Sequence, residues 1–294
     1  MRLDGRGESE NVEDRRAQGG GGPRMAFGGG GVGILVLALV VWMLGGNPLA
    51  VLNMGVRQGP PMGGANQPID PADEPLRKLA ATVLGDTEKV WDDVFRQQLG
   101  KPYQPTTMVL FRQGVQTGCG TAGSETGPFY CPADQKVYLD LSFFRELEDR
   151  FDAAGDFAQA YVVAHEVGHH VQNLIGLSEK VQSEQQRHAQ RGDEAGANEW
   201  SVRLELNADF LAGVWANQAE KRFKMLETGD VEEAMRCAQA IGDDRLQKQM
   251  RGTVRPDTFT HGSSAQRAKW FRKGLETGDI KQGMALFELP YNRL

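Results

Sequence analysis

The chain has 294 residues and a formal net charge of −6, so it is mildly acidic and long enough for one sizeable folded domain. Lys and Arg form no basic stripe, which argues against nucleic acid as a partner. Of the 37 glycines, 17 fall within the first 64 residues, which places the folded body in the rest of the chain. Three of the five histidines lie within six positions: His165, His169 and His170.

The first predicted element is a transmembrane helix within residues 25–52. The 32 residues between Arg24 and Arg57 carry no formal charge, and Val32–Leu44 is almost purely aliphatic. A helix needs about 20 mostly apolar residues to cross a bilayer, and extension of this centre on either side reaches that length. A cleaved signal peptide is the alternative, but the preceding segment is long for one and no small-residue cleavage site follows.

Basic residues predict the orientation of this span. Only Arg57 lies close behind it, whereas five arginines precede it: Arg2, Arg6, Arg15, Arg16 and Arg24. Because basic flanks stay in the cytoplasm, residues 1–24 are predicted as a cytoplasmic tail. The body is then predicted to be extracytoplasmic, on a single-pass anchor in the cell (inner) membrane.

Residues 53–75, rich in Gly and Pro, are predicted as a linker, and residues 76–294 as the folded domain. Helical spacing of apolar residues covers Leu76–Leu99, with a break at Gly85. Thr106–Phe111 and Lys136–Leu141 have the pattern of strands, and the chain after Ser142 has the pattern of helices. The predicted fold class is α+β, predominantly helical, with a small sheet.

Cys119 and Cys131 are predicted to form a disulfide, because an oxidising compartment preserves such bonds. Two buried thiols are the alternative. Cys237 is expected to pack as a small apolar residue in a helix.

A metal-binding helix is predicted over Phe157–Ile175, with Asp156 and Gln159 as its capping box. It contains the sequence His-Glu-Val-Gly-His, in which His165 and His169 are four residues apart and share one face. Two imidazoles in this arrangement can bind one zinc ion, and Glu166 lies beside the same face. His170 points away from that face and is interpreted as a structural histidine.

The third ligand is predicted on a second helix, Glu199–Arg222. Glu205 and Asp209 share a face of this helix one turn apart, and Glu-x-x-x-Asp after His-Glu-x-x-His is the gluzincin arrangement. Glu205 is therefore assigned as the third zinc ligand. Asp209 is assigned to accept the free N–H of a ligating histidine.

The whole sequence resembles the bacterial neutral zinc metallopeptidase family. The stretches that carry the resemblance are Asn11–Arg16, Gly127–Phe144, the metal-binding helix, Glu205–Ala216, the Ala-Ile-Gly-Asp-Asp-Arg stretch that begins at Ala240, and Phe259–Arg267. This resemblance implies a single-span membrane protein with a zincin-like, gluzincin-type domain.

His261 and Arg267 are similar to the His-x5-Arg feature of another membrane-linked gluzincin group. That likeness implies that His261 stabilises the oxyanion near the substrate carbonyl and that Arg267 holds the local structure. The alternative for His261 is a structural place in the turn before the helix that begins near Ser263.

These residues together predict a zinc-dependent endopeptidase with one zinc per chain. Glu166 would take a proton from zinc-bound water and return it to the leaving amine. The expected partner is a peptide or an unfolded protein, paired with an edge strand at Lys136–Leu141. The main alternative is a catalytically silent, zinc-stabilised binding or assembly protein of the cell envelope, and the sequence gives no indication of oligomeric state.

Overall fold

A computed structural model describes residues 1–18, 68–151 and 153–294. The described chain is predominantly helical with a small sheet, so the α+β part of the predicted fold class is confirmed. The strands are β1 (Val12–Asp14), β2 (Thr107–Phe111), β3 (Gly114–Thr117), β4 (Gly120–Gly123), β5 (Phe129–Cys131) and β6 (Lys136–Asp140). The α-helices are α1 (Glu74–Val94), α2 (Ser142–Phe151), α3 (Asp156–Leu174), α4 (Leu177–Gln190), α5 (Glu194–Phe223), α6 (Asp230–Ala240), α7 (Asp243–Arg251) and α8 (Ser264–Thr277).

The predicted transmembrane helix is not supported, and the fold class is corrected accordingly. Over residues 1–18 and 68–294, no helix combines the length and apolarity needed to cross a bilayer. The helices α1, α3 and α5 have the length, but each carries ionisable side chains in its central turns, which a bilayer disfavours. Residues 25–52, where the span was predicted, lie outside the described residues.

The main sheet has the strand order β1-β2-β6-β5. The pairs β1–β2 and β2–β6 are parallel, and β5 runs antiparallel to β6. The strand Lys136–Asp140, predicted to be at an edge, therefore lies inside the sheet, and β5 is at the edge. The hairpin β3–β4 is separate, and the predicted disulfide between Cys119 and Cys131 joins its turn to β5.

Helix α1 runs unbroken through Gly85, where the sequence pattern predicted a break. A Cβ on Gly85 would lie 3.1 Å from the carbonyl oxygen of Gly7, so the glycine allows another part of the chain to approach closely. The predicted capping box of α3 does not form either. Gly155, with φ of 126°, precedes the helix, and the Asp156 carboxylate instead lies 2.7 Å from the α-amino group of Met1.

Helix α3 lies between the sheet and the other helices, in contact with β5, β6, α1, α5 and α6. Helix α5 packs on the opposite side of α3 and also contacts α8. Two glycines set the distance between α5 and α8, because a Cβ on Gly213 would overlap the carbonyl oxygen of Phe271, and one on Gly274 would overlap that of Phe210. The backbones of these helices thus touch directly.

We expect Gly274→Ala to lower the free energy of unfolding by about 3 kcal/mol or more, because the added methyl group must push α8 away from α5. Gly114→Ala is the control, since its nearest atom would be at 3.7 Å, an ordinary contact. Denaturant unfolding of both variants measures the difference. Equal stability of the two would contradict the close helix contact.

Candidate metal centre

Helix α3 presents His165 and His169 toward α5, and Glu166 follows His165 in the chain. His165 is 7% exposed and Glu166 is 8% exposed, and the His169 side chain is 15% exposed. The two histidines share a face because they are four residues apart on a continuous helix. Gly168 lies between them on the side of α5, where a Cβ would be 3.1 Å from the carbonyl oxygen of Ala208. This glycine lets the two ligand-bearing helices approach each other.

Helix α5 brings Glu205 to the two histidines. Its carboxylate oxygens lie 3.2 Å from Nε2 of His165 and 3.5 Å from Nε2 of His169. One donor atom from each of the three residues lies within 4.8 Å of the others, a spacing that suits a single metal ion. The structure thus brings together the three residues that the sequence assigned as zinc ligands.

Asp209, one turn beyond Glu205, holds His165 from the other side. Its Oδ1 lies 2.9 Å from Nδ1 of His165, and the carboxylate is fully buried. Arg267 donates from Nε and Nη2 to the two Asp209 oxygens, at 2.9 and 3.0 Å. The hydroxyl of Tyr161 donates to Asp209 and lies 3.2 Å from Nη2 of Arg267. The sequence assigned Asp209 and Arg267 to this region but missed Tyr161.

His169 has its own orienting partner. Its Nδ1 lies 2.9 Å from Oε1 of Gln172, and the Gln172 amide donates to Asn207 at 3.0 Å and to the carbonyl of Leu204 at 2.7 Å. Since both Nδ1 atoms face oxygen acceptors, they carry the protons. Each Nε2 can then give its lone pair to a metal once it has lost the proton that it shares with Glu205, and two imidazoles with one carboxylate are a known zinc donor set. The residues present therefore fit zinc.

The pKa values of these groups reflect the mutual attraction of a positive and a negative charge. Burial disfavours the charged form of His165, but the negative charge of Asp209 outweighs it and raises the His165 pKa to about 10. Burial likewise lowers the pKa of His169, and Glu205 reverses this and raises it. Burial raises the pKa of Glu205, but the charge of His169 and hydrogen bonds from both histidines bring it well below its ordinary value. In the metal-free protein, protons thus supply the positive charge that balances the carboxylates.

Glu166 differs from its neighbours because its carboxylate makes no hydrogen bond or ion pair with any residue that the structure describes. It lies next to His165 in the chain and close enough to His169 to influence the pKa of that histidine. A buried carboxylate without a protein partner is free to bind a water molecule or a reacting group. This is the arrangement expected of a general base.

His261 lies on the loop between α7 and α8, at the side of the metal centre. Its side chain is 45% exposed, with Nδ1 3.3 Å from Oδ1 of Asp243. Desolvation lowers the pKa of His261, but the Asp243 hydrogen bond and the charges of Glu205 and Asp243 raise it above its ordinary value. The other Asp243 oxygen, Oδ2, accepts hydrogen bonds from the backbone N–H groups of Thr260, His261 and Gly262, with N···O distances of 2.7 to 3.1 Å. Asp243 thus fixes the loop that carries His261.

His170 faces away from the metal centre, as interpreted from the sequence. It is 1% exposed, and its Nε2 donates to the carbonyl of Gln104 at 2.7 Å. Nδ1 then accepts from the hydroxyl of Tyr130, at 3.1 Å. Because Tyr130 is the central residue of β5, this contact fastens the edge strand to the metal-binding helix.

Sequence reasoning missed three residues of the centre: Tyr161, Gln172 and Asp243. Gln172 follows His169 by three positions on one helix, a spacing that places the two side chains together. Tyr161 precedes His165 by four positions and could have been found in the same way. Asp243 is remote in sequence from His261, and only its place in a stretch already noted for the family resemblance pointed to it.

Comparison with known proteins agrees with this geometry. The family model described as "Putative neutral zinc metallopeptidase" matches residues 1–286. The uncharacterized protein YpfJ of Escherichia coli (strain K12) is 46% identical over 290 residues, which cover 96% of this chain and 97% of that protein. The uncharacterized proteins Mb2605 of Mycobacterium bovis and Rv2575 of Mycobacterium tuberculosis are 47% identical over 188 residues, 60% of this chain and 61% of each relative. No solved structure matches the chain.

At pH 8, addition of zinc to the metal-free protein is expected to release protons, because His165 must lose its proton before Nε2 can bind a metal. The raised pKa means that the stabilisation from the His165–Asp209 pair is complete below the unfolded histidine pKa of about 6.5. This stabilisation is lost as the pH rises through about 10, where His165 loses its proton. The number of protons that zinc releases should therefore fall as the pH approaches and passes about 10. Calorimetry in buffers of different ionisation enthalpy measures this release. A binding heat independent of the buffer at pH 8 would show that His165 is already neutral.

Proposed function

Since this chain belongs to the neutral zinc metallopeptidase family, we propose that it is a zinc-dependent endopeptidase of the gluzincin type. His165, His169 and Glu205 would hold one zinc ion per chain. The observation that carries the proposal is the convergence of these three donor groups within 4.8 Å, beside a buried carboxylate that has no partner among the described residues. A purely structural zinc site has four protein ligands and no need of such a base.

Zinc, when bound, acts as a Lewis acid that polarises a peptide carbonyl and lowers the pKa of water. The chain's own residues supply the proton transfers. Glu166 accepts a proton from the attacking water, which becomes a stronger nucleophile, and then donates this proton to the leaving amine. Asp209 and Gln172 keep His165 and His169 in the tautomers that leave Nε2 free, and they need not take part in any proton transfer.

His261 is proposed to stabilise the oxyanion as the carbonyl carbon becomes tetrahedral. Its pKa is raised above the ordinary value, which favours the protonated ring that such a role requires. Asp243 supports this role because it binds the ring at Nδ1, so that Nε2 is the nitrogen left to contact a substrate. Arg267 acts at a distance from the substrate, through Asp209.

An extended peptide is proposed to bind along the outer edge of β5. This edge has no partner strand in the described chain, and the contact between Tyr130 and His170 holds it beside α3. Backbone hydrogen bonds to an edge strand select extended segments of any sequence. The favoured substrates are therefore peptides, unfolded chains or exposed loops.

An extracytoplasmic location of the body is part of the proposal. It is supported by the disulfide that joins the β3–β4 hairpin to the edge strand β5, because oxidising compartments preserve such bonds.

The purified protein is expected to contain one zinc per chain, and His165→Ala should lose stoichiometric zinc. His188→Ala is the matched control, because His188 pairs with Asp193 on the surface, away from the centre. Atomic emission on the folded variants measures the metal, with circular dichroism to check the fold. A full equivalent of zinc in His165→Ala would remove the proposed site.

Glu166→Gln is expected to keep zinc and fold while peptide hydrolysis falls at least ~100-fold, the loss typical of a positioned general base. Glu179→Gln, on the exposed start of α4, is the control and should keep full activity. The assay is digestion of a diverse peptide library by zinc-loaded protein. If the wild type cleaves nothing and Glu166→Gln binds the same partners as the wild type, the chain is a zinc-stabilised binding protein instead.

A further inference from the structure

The first 18 residues, called the N-terminal segment below, lie against the folded body. Residues 12–14 form β1, which pairs in parallel with β2, so that Val12 lies opposite Met108 and Asp14 opposite Leu110. The backbone N–H of Arg15 donates to the carbonyl of Leu110 at 2.8 Å. The segment assigned by sequence to a cytoplasmic tail thus provides an edge strand of the central sheet.

A buried ion pair fastens the middle of the segment to α1. Arg6 donates to Asp86 at 2.6 Å, and their side chains are 7% and 0% exposed. Further along, the hydroxyl of Ser9 and the amide of Asn11 both donate to Glu88, at 2.6 and 2.8 Å. These contacts place polar groups of the segment on one side of α1, in a directional arrangement that a loosely attached tail would not maintain.

The backbone of the segment also packs directly on α1. The N–H of Ser9 donates to the carbonyl of Ala81 at 3.0 Å. The atoms nearest to a Cβ on Gly85 belong to Gly7, Glu8 and Ser9, at 3.1 to 3.6 Å. A helix interior ordinarily disfavours glycine, but here even a Cβ would press on the backbone of the segment, and a larger side chain would collide with it.

The end of the segment is tied to the start of α1. Arg16, 3% exposed, donates to Asp14 at 2.6 Å and to Glu74 at 2.7 Å. The last residues of the segment and the first residue of α1 are therefore held next to each other. Asn11–Arg16, a stretch noted above for its family resemblance, is the part of the segment that forms β1 and these ion pairs.

We propose that the N-terminal segment is a fixed part of the catalytic body, so that the amino terminus and the metal centre lie on the same side of any membrane. Neighbouring strands are about 4.8 Å apart, whereas the hydrocarbon core of a bilayer is about 30 Å thick. A single crossing between residues 18 and 68 would separate β1 from β2. Two crossings need about 40 mostly apolar residues, more than the 32 uncharged residues between Arg24 and Arg57.

The same contacts remove the basis of the orientation predicted from the arginines. Arg6 is paired with Asp86, Arg15 with Glu13, and Arg16 with Asp14 and Glu74. The rule that basic flanks stay in the cytoplasm applies to loops beside a membrane span, whereas these arginines belong to a segment that packs on the folded body. Arg2 also lies 3.5 Å from Glu227, so four of the five arginines that formed the predicted flank are instead held in ion pairs.

The topology can be tested in intact cells with one cysteine on each part of the full chain. Glu10→Cys lies on the exposed side of the segment, and Met250→Cys lies on the body, where Met250 is 58% exposed. The wild type provides the background, since Cys237 is buried and the other two cysteines form the disulfide. A membrane-impermeant maleimide is applied before and after permeabilisation, and labelling in detergent confirms that both thiols are reactive.

The two cysteines are expected to behave alike. Both should be labelled in intact cells, or both only after permeabilisation, and either result supports the proposal. Labelling of one but not the other in intact cells would overturn it. Neither readout depends on peptidase activity, so this proposal can fail while the proposed function stands.

The packing of the N-terminal segment on α1 can be tested by whether the substitution Gly85→Leu raises or lowers the melting temperature. Gly85→Leu would raise the melting temperature of an uncovered helix, because leucine is a better helix former than glycine. If the segment is docked, the side chain collides with it, and we expect the melting temperature to fall by about 5 °C or more. Gly7→Ala, with open space around the added Cβ, is the matched control and should change it little. A rise for Gly85→Leu would contradict the docking.

Discussion

The carboxylate of Asp209 is the interaction on which the rest of the metal centre depends. It is fully buried, and its two oxygens bind His165 from α3, Tyr161 from the same helix and Arg267 from α8. A buried charge is tolerated only when it is paired and its hydrogen bonds are satisfied. Three helices must therefore meet at one place, and the glycines at 168, 213 and 274 are what allow them to come close enough. The orientation of the first histidine is thus a property of the whole helical core.

Much of the metal centre could be predicted because most of its residues lie at fixed short spacings within single helices. Two histidines four residues apart on an apolar helix, and a glutamate and an aspartate four residues apart on another, need only helical periodicity to be placed on common faces. The structure brings His165, His169 and Glu205 together and puts Asp209 behind His165. The strands β2 and β6 and the disulfide likewise followed from local patterns and from the chemistry of cysteine, whereas β1, β3, β4 and β5 were not predicted.

What could not be predicted depended on contacts between distant parts of the chain. Strand order is not contained in any single strand, so the interior place of Lys136–Asp140 was missed. The glycine at position 85 was interpreted as a helix break because the N-terminal segment that covers it is remote in sequence. The arginines of that segment were counted as a membrane flank because some of their partners are remote in sequence: Asp86 lies 80 positions from Arg6, and Glu227 is still farther from Arg2. Asp243 was not predicted either, because its partner His261 lies on a different element of the chain.

The position of Arg267 near the carboxyl end of the chain has a consequence for biosynthesis. During translation the helices that carry the histidines and Glu205 emerge first, and Asp209 lacks its guanidinium partner until α8 has been made. Until then the carboxylate has the His165 ring and the Tyr161 hydroxyl as partners, but it lacks the two hydrogen bonds that Arg267 donates. The centre is therefore complete only after α8 has been made. A product that ends before α8 would lack the support that Arg267 gives to Asp209 and, through Asp209, to His165.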